Sequence, residues 1–121
     1  MSNKLTNNKY WNSQYKNSIN KKYTVNEKMN LSTTELTEVF KKMLPRNKRF
    51  KFIEIGCAPG MWMHYFYKEF GYQAEGIEYA EKGVELTKKN LNNLKVPYKL
   101  FHQDFLKNDL VKNNYDVVAS F

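Results

Sequence analysis

The chain has 121 residues, 41% of them hydrophobic and 16% aromatic, a composition that suits one folded domain with a core and excludes both a disordered chain and a two-domain one. Its single cysteine excludes an internal disulfide. With no signal-peptide-like apolar start and no run long enough to span a bilayer, it is expected to be cytoplasmic. The net charge of +8 lies wholly in the first fifty residues, where eleven Lys or Arg face three acids, whereas residues 51–121 carry nine of each.

Residues 1–30 form a polar arm with aromatics at Tyr10, Trp11, Tyr15 and Tyr23. A basic arm before a neutral domain can be a footprint for nucleic acid. Composition is the stronger explanation here. The cations are eighteen Lys and two Arg, and Asn occurs fifteen times, the bias an AT-rich genome produces; Arg, the better bidentate phosphate ligand, is nearly absent. A nucleic-acid partner is therefore not favoured.

Ser32-Thr33-Thr34-Glu35 reads as a capping box, with Leu31 placed to staple onto Leu36. Leu36, Val39, Phe40, Met43 and Leu44 then recur at helical spacing, and Pro45 closes an amphipathic helix. These residues and the linker Arg46-Asn47-Lys48-Arg49 make residues 1–49 a unit ahead of a second one, 50–121.

From residue 50 strands and helices alternate. Strands are expected at about 50–55, 73–78, 97–101 and 115–120, and helices at about 61–70, 81–94 and, briefly, 105–113, with boundaries good to ~2–4 residues. Strands alternating with helices of this length imply right-handed crossovers and an α/β protein, a Rossmann-like mostly parallel sheet flanked by helices, with a ligand crevice at the carboxyl ends of the strands. The first strand, Phe50–Ile55, carries Glu54 and runs through Gly56-Cys57-Ala58-Pro59-Gly60 into a helix whose core face is Met61, Trp62, Tyr65, Phe66 and Phe70. A strand turning at glycines into a helix brings free backbone N–H groups and a helix N-terminus to a ligand. Taken singly, a glycine pair is often only a tight turn and a strand-terminal Glu only solvated.

The ordered set Glu54–Gly60, Gly76-Ile77-Glu78-Tyr79, Gln103-Asp104-Phe105 and Tyr115–Ser120 resembles motifs I to IV of the class I S-adenosylmethionine-dependent methyltransferases. The resemblance covers about 50–121, and the Trp11–Tyr15 region with the capped helix is similar to the family's N-terminal cap. It implies S-adenosylmethionine as cofactor, held by Glu54, Gly56, Cys57, Ala58, Gly60, Glu78, Tyr79, Asp104, Phe105 and Ser120. Gly56 and Gly60 would clear the approach of a ligand that has no phosphate, and Glu54 suits its cationic amino group. Glu78 would accept from both ribose hydroxyls, Tyr79 lie along the adenine, Asp104 accept from the adenine amino group and Phe105 touch the ring. Cys57 is read as a small apolar wall, not a nucleophile, His64 as a surface or packing residue, and His102 as a strand-end residue for which a catalytic role is open but not favoured.

The competing dinucleotide fingerprint needs glycines at positions one, three and six, where this chain has Gly56, Ala58 and Met61. The family's sheet has seven strands ordered 3-2-1-4-5-7-6, and this chain reaches the fourth. The resemblance therefore implies a methyltransferase acting on a small molecule, in a truncated form; a non-catalytic cofactor-binding or regulatory module and an RNA methyltransferase are the alternatives. No catalytic base or metal-ligand cluster is identifiable, no membrane is expected as a partner, and the apolar fourth strand is expected to self-associate through its open edge.

Overall fold

A computed structural model describes residues 22–107 and 115–121. The expectations for Trp11, Tyr15 and most of the 105–113 helix fall outside the described residues. Four parallel strands, β1 (Lys51–Ile55), β2 (Gln73–Glu78), β3 (Tyr98–His102) and β4 (Val117–Ala119), lie in the order β3-β2-β1-β4. The register pairs Glu54 with Gly76 on one side and Ala119 on the other, and Glu78 with His102. The acids that end β1 and β2 therefore reach the same edge of the sheet.

Among the described residues three α-helices accompany the strands: α1 (Leu31–Met43), α2 (Met61–Phe70) and α3 (Glu81–Asn93). The α2 helix buries Trp62, Met63, Tyr65, Phe66 and Phe70, so the expected core face holds except that Met61 is only half-buried. Phe66 stacks on Phe52 of β1 at 4.4 Å between centroids, and Phe70 on Tyr72 at 5.3 Å. Each such ring, fully buried, contributes roughly 1.5–3 kcal/mol, and this aromatic layer fixes α2 over β1. Tyr72 is fully buried, and its hydroxyl donates to the Pro45 carbonyl oxygen at 2.8 Å.

The α1 helix departs from its expected form at its start and along its apolar face. Its cap is Asn30, whose side chain accepts from the Thr33 N–H at 2.8 Å, not Ser32. A turn closed by Met29 N–H on the Asn26 carbonyl sets the start earlier, so Leu31 is helical and 73% exposed and staples nothing. Only Leu36, Phe40 and Leu44 of the apolar set pack on the core, while Val39 and Met43 face outward. Of β4, three residues pair rather than six. Tyr115 and Asp116 are instead used by side-chain bonds, Tyr115 to Glu75 at 2.6 Å and Asp116 to the Lys51 N–H at 2.8 Å. Among the described residues no helix is long and apolar enough to cross a membrane.

Candidate functional site at the carboxyl edge of the sheet

The loop from β1 to α2 is set by two glycines with left-handed backbones, Gly56 at φ +70° and Gly60 at φ +93°, a conformation other residues adopt at a cost. Their surroundings differ. A Cβ on Gly56 would meet nothing within 4 Å, so the loop faces open space there. One on Gly60 would lie 3.0 Å from Thr87 Cγ2 and 3.2 Å from Leu91 Cγ, so this glycine lets the loop pack closely on α3.

The amides of the loop do not stand free, contrary to the expectation drawn from the strand-turn-helix pattern. Gly56 N–H and Cys57 N–H both donate to the Ile77 carbonyl, at 2.9 and 3.1 Å, and Ala58 N–H donates to Glu78 Oε1 at 3.1 Å. The turn folds back on the end of β2, whose last two residues supply the acceptors: the Ile77 carbonyl and the Glu78 carboxylate. What the loop offers outward is the open side of Gly56 and the first-turn amides of α2, which have no intrahelical partner.

Two carboxylates lie beneath this loop. Glu78, 5% exposed, accepts from Ala58 N–H and, through Oε2, from Ala80 N–H at 3.0 Å, so it ties the loop to the start of α3. Each oxygen keeps a second lone pair. Glu54, 3% exposed, has the opposite character: its Oε1 is without a hydrogen-bond partner. Burial first, and the neighbouring Glu78 charge second, push its carboxyl up to about 9 from an ordinary 4.5. Burial, with the two acids adding to it, also pushes the Cys57 thiol well up, which makes Cys57 an inert wall and a poor nucleophile.

The other expected residues lie along the same edge. Tyr79 is 42% exposed, and its carbonyl meets His102 Nε2 at 3.1 Å; Gln103 N–H donates to the Glu78 carbonyl at 3.2 Å, which holds the end of β3 against the end of β2. Asp104 Oδ1 accepts from Leu106 N–H at 2.9 Å and caps the short 3-10 turn Phe105–Lys107. Ser120 Oγ donates to the Ile55 carbonyl at 3.3 Å, beside the loop. Glu54, Cys57, Ala58 and Glu78 are thus gathered into one cluster, with Tyr79, Asp104, Phe105 and Ser120 ranged around it on the strand ends. His64, half-buried on α2, is held below its usual range by burial and by Lys68.

Two residues escaped the sequence reading. Asn90 of α3 is fully buried: its Oδ1 accepts from Tyr23 N–H at 2.8 Å, and its Nδ2 donates to the carbonyls of Tyr23 at 2.9 Å and Pro59 at 3.0 Å. It fastens the incoming N-terminal segment, α3 and the loop together. Gly83 lets α3 close on Glu78, since a Cβ there would lie 2.9 Å from the carboxylate carbon. A glycine in the first turn after a strand-end acid is the only signal either left in the sequence. A groove of about 740 Å³, lined among others by Lys48, Tyr67, Tyr72, Pro97, Tyr98 and Lys99, opens at the amino ends of β2 and β3. Its size does not make it the site: the buried acid that lines it, Glu75, is held by Tyr115 and Lys51, whereas the glycine loop and the unpartnered Glu54 are at the other end.

A family described as "Methyltransferase domain" matches residues 52–121, more than half of the chain. The chain belongs to the methyltransferase domain family. The methyltransferase domain aligns with geranyl diphosphate C-methyltransferase from Streptomyces coelicolor A3(2), solved with S-adenosyl-L-homocysteine, at a TM-score of 0.62 and 13% identity, covering 74% of this chain and 34% of that one. It is also similar to phosphoethanolamine N-methyltransferase 2 from Haemonchus contortus, solved with S-adenosyl-L-methionine, at a TM-score of 0.58 and 20% identity, covering 72% and 20%. A third likeness is DesVI from Streptomyces venezuelae, at a TM-score of 0.52 and 20% identity, covering 73% and 34%. At these identities the likeness is one of fold. This chain spans about a third or less of the length of the three structures. No curated protein sequence matches it significantly.

Proposed function

We propose that the chain is an S-adenosylmethionine-dependent methyltransferase unit whose cofactor lies across the carboxyl edge of the sheet and whose methyl acceptor is a small molecule. The observation that carries the cofactor reading is the unequal pair of buried acids beside open space at Gly56. S-adenosylmethionine presents a cationic amino group and a ribose diol, both seeking acceptors. Glu54 has an oxygen with no partner, and Glu78 is locked in position by two amides with lone pairs to spare, so the residues fit the group. Tyr79, half exposed at the end of β2, and Asp104 beyond β3 are the groups for the adenine, with Phe105 beside them. The small-molecule acceptor is supported by the neighbours of similar fold, whose names give geranyl diphosphate and phosphoethanolamine as what they methylate.

The bound cofactor supplies an activated methyl group on a sulfonium, so the protein's part is orientation more than bond activation. Glu78 fixes the ribose end and, through Ala58, the loop. Glu54 fixes the amino-acid end, and Cys57 with the aromatic layer of α2 keeps water from the back of the loop. A cofactor-binding unit that needs further protein for its acceptor is a second reading, favoured by the small share of each neighbour that the chain spans.

Titration calorimetry with S-adenosylhomocysteine tests the assignment. Glu78→Gln keeps the side chain's volume and one carbonyl oxygen but loses the charge and one acceptor, and should weaken binding by about 1.5–3 kcal/mol, the size of hydrogen bonds to a charged group. Unchanged affinity in the folded variant, or a preference of the wild type for NAD, would overturn it.

A further inference from the structure

Among the described residues, nothing balances a charge on Glu54. It is the fourth of the five residues of β1, 3% exposed, with Oε1 unpartnered. The ion pairs Lys41–Glu27, Arg46–Glu69, Lys51–Glu75 and Lys82–Glu85 all lie elsewhere, and none of them reaches it. The titratable groups that face it are Glu78 at the end of β2 and Cys57 in the loop, an acid and a thiol. Its partners in the neighbouring strands are Gly76 and Ala119, and the titratable His64 of α2 answers to burial and Lys68. With a like charge beside it and no cation near it among the described residues, this buried carboxyl is the uncharged acid at neutral pH, pushed up to about 9 by burial first and by Glu78 second.

We propose that Glu54 is a proton-exchanging specificity residue: it holds a proton while the site is empty and releases it to solvent when the ammonium group of S-adenosylmethionine or S-adenosylhomocysteine docks against it. This rests on the cofactor site proposed above. The balance is simple. The O–H bond of Glu54 breaks, the proton goes to bulk water, and the carboxylate left behind pairs with the ligand's ammonium; nothing is oxidised or reduced. Ligands that lack the ammonium leave the proton in place, so the site selects for the amino-acid end by its charge. Because one proton leaves per ligand bound, affinity rises about tenfold for each pH unit wherever both the acid and the free ammonium are protonated, which includes pH 6 to 7.

The test is calorimetry on the full chain at pH 7 in phosphate and in Tris, whose heats of ionisation differ, with S-adenosylhomocysteine and with 5′-methylthioadenosine, which has no amino-acid end. The expected result is release of close to one proton with S-adenosylhomocysteine and of none with 5′-methylthioadenosine, together with a tenfold gain in S-adenosylhomocysteine affinity from pH 6 to 7. Glu54→Gln should abolish the release and flatten the pH dependence; if that variant binds too weakly to titrate, the two wild-type ligands still decide. Binding of S-adenosylhomocysteine with no proton release, or equal release from the Gln variant, overturns the proposal while the cofactor site stands. No binding at any pH overturns both.

Discussion

Replacing Glu54 by Gln should make the ligand-free protein more stable at neutral pH. A carboxyl held at about 9 when folded and at 4.5 when unfolded keeps its proton in the native state through a range in which the unfolded chain has lost it. Between those values the unfolded state binds fewer protons than the folded one, so stability falls as pH rises, and the whole penalty is present above about 9. At pH 7 the interval from 4.5 is two and a half pH units, and at about 1.4 kcal/mol for each the cost is roughly 3 kcal/mol. Gln carries no such charge, so Glu54→Gln should recover up to this amount. In a domain of this size that is a rise in Tm of about 10 °C. Thermal unfolding followed by circular dichroism at pH 5, 7 and 9 reads it. The two proteins should be close at pH 5 and separate progressively to pH 9. Curves that stay parallel, with a gap that does not depend on pH, would show instead that Glu54 is ionised in the native protein.

Gly83→Ala gains helix propensity of up to about 1 kcal/mol but pushes a methyl into the Glu78 carboxylate, so S-adenosylhomocysteine affinity should fall by about 1 kcal/mol, the size of one hydrogen bond, in calorimetry. Asn90→Leu removes three hydrogen bonds that join Tyr23, α3 and Pro59, and urea unfolding should show a loss of about 2–4 kcal/mol. Val118 is 45% exposed on β4, an edge strand of the described sheet; if that edge pairs with a second copy as the sequence leads one to expect, Val118→Lys should reduce the dimer seen by light scattering at ~100 μM, and a wild type that is monomeric there overturns the expectation.

The frame of the site was legible because it is written locally. Glu54 and Glu78 end apolar strands, Gly56 and Gly60 bracket a turn, and the α2 face Trp62, Tyr65, Phe66, Phe70 has helical spacing; strand and helix periods placed β2 and α2 on the residues where they occur. Other features depend on residues far apart in the chain. Asn90 looks like one more polar residue in a Lys/Asn-rich helix until it meets Tyr23, 67 residues earlier. The loop amides seemed free because their acceptors, the Ile77 carbonyl and Glu78, come from another strand. Likewise the charge state of Glu54 is a product of burial, which no local pattern carries. At α1 two capping residues competed, and the turn before Asn30 decided between them.

The most direct measurement is a crystal structure of the chain with S-adenosylhomocysteine. The account predicts the ribose hydroxyls on Glu78, the amino group within hydrogen-bond distance of Glu54 Oε1, and the ligand's body passing the open side of Gly56. A ligand bound elsewhere, in the groove at the amino ends of β2 and β3 for instance, or a ribose that does not touch Glu78, would contradict it.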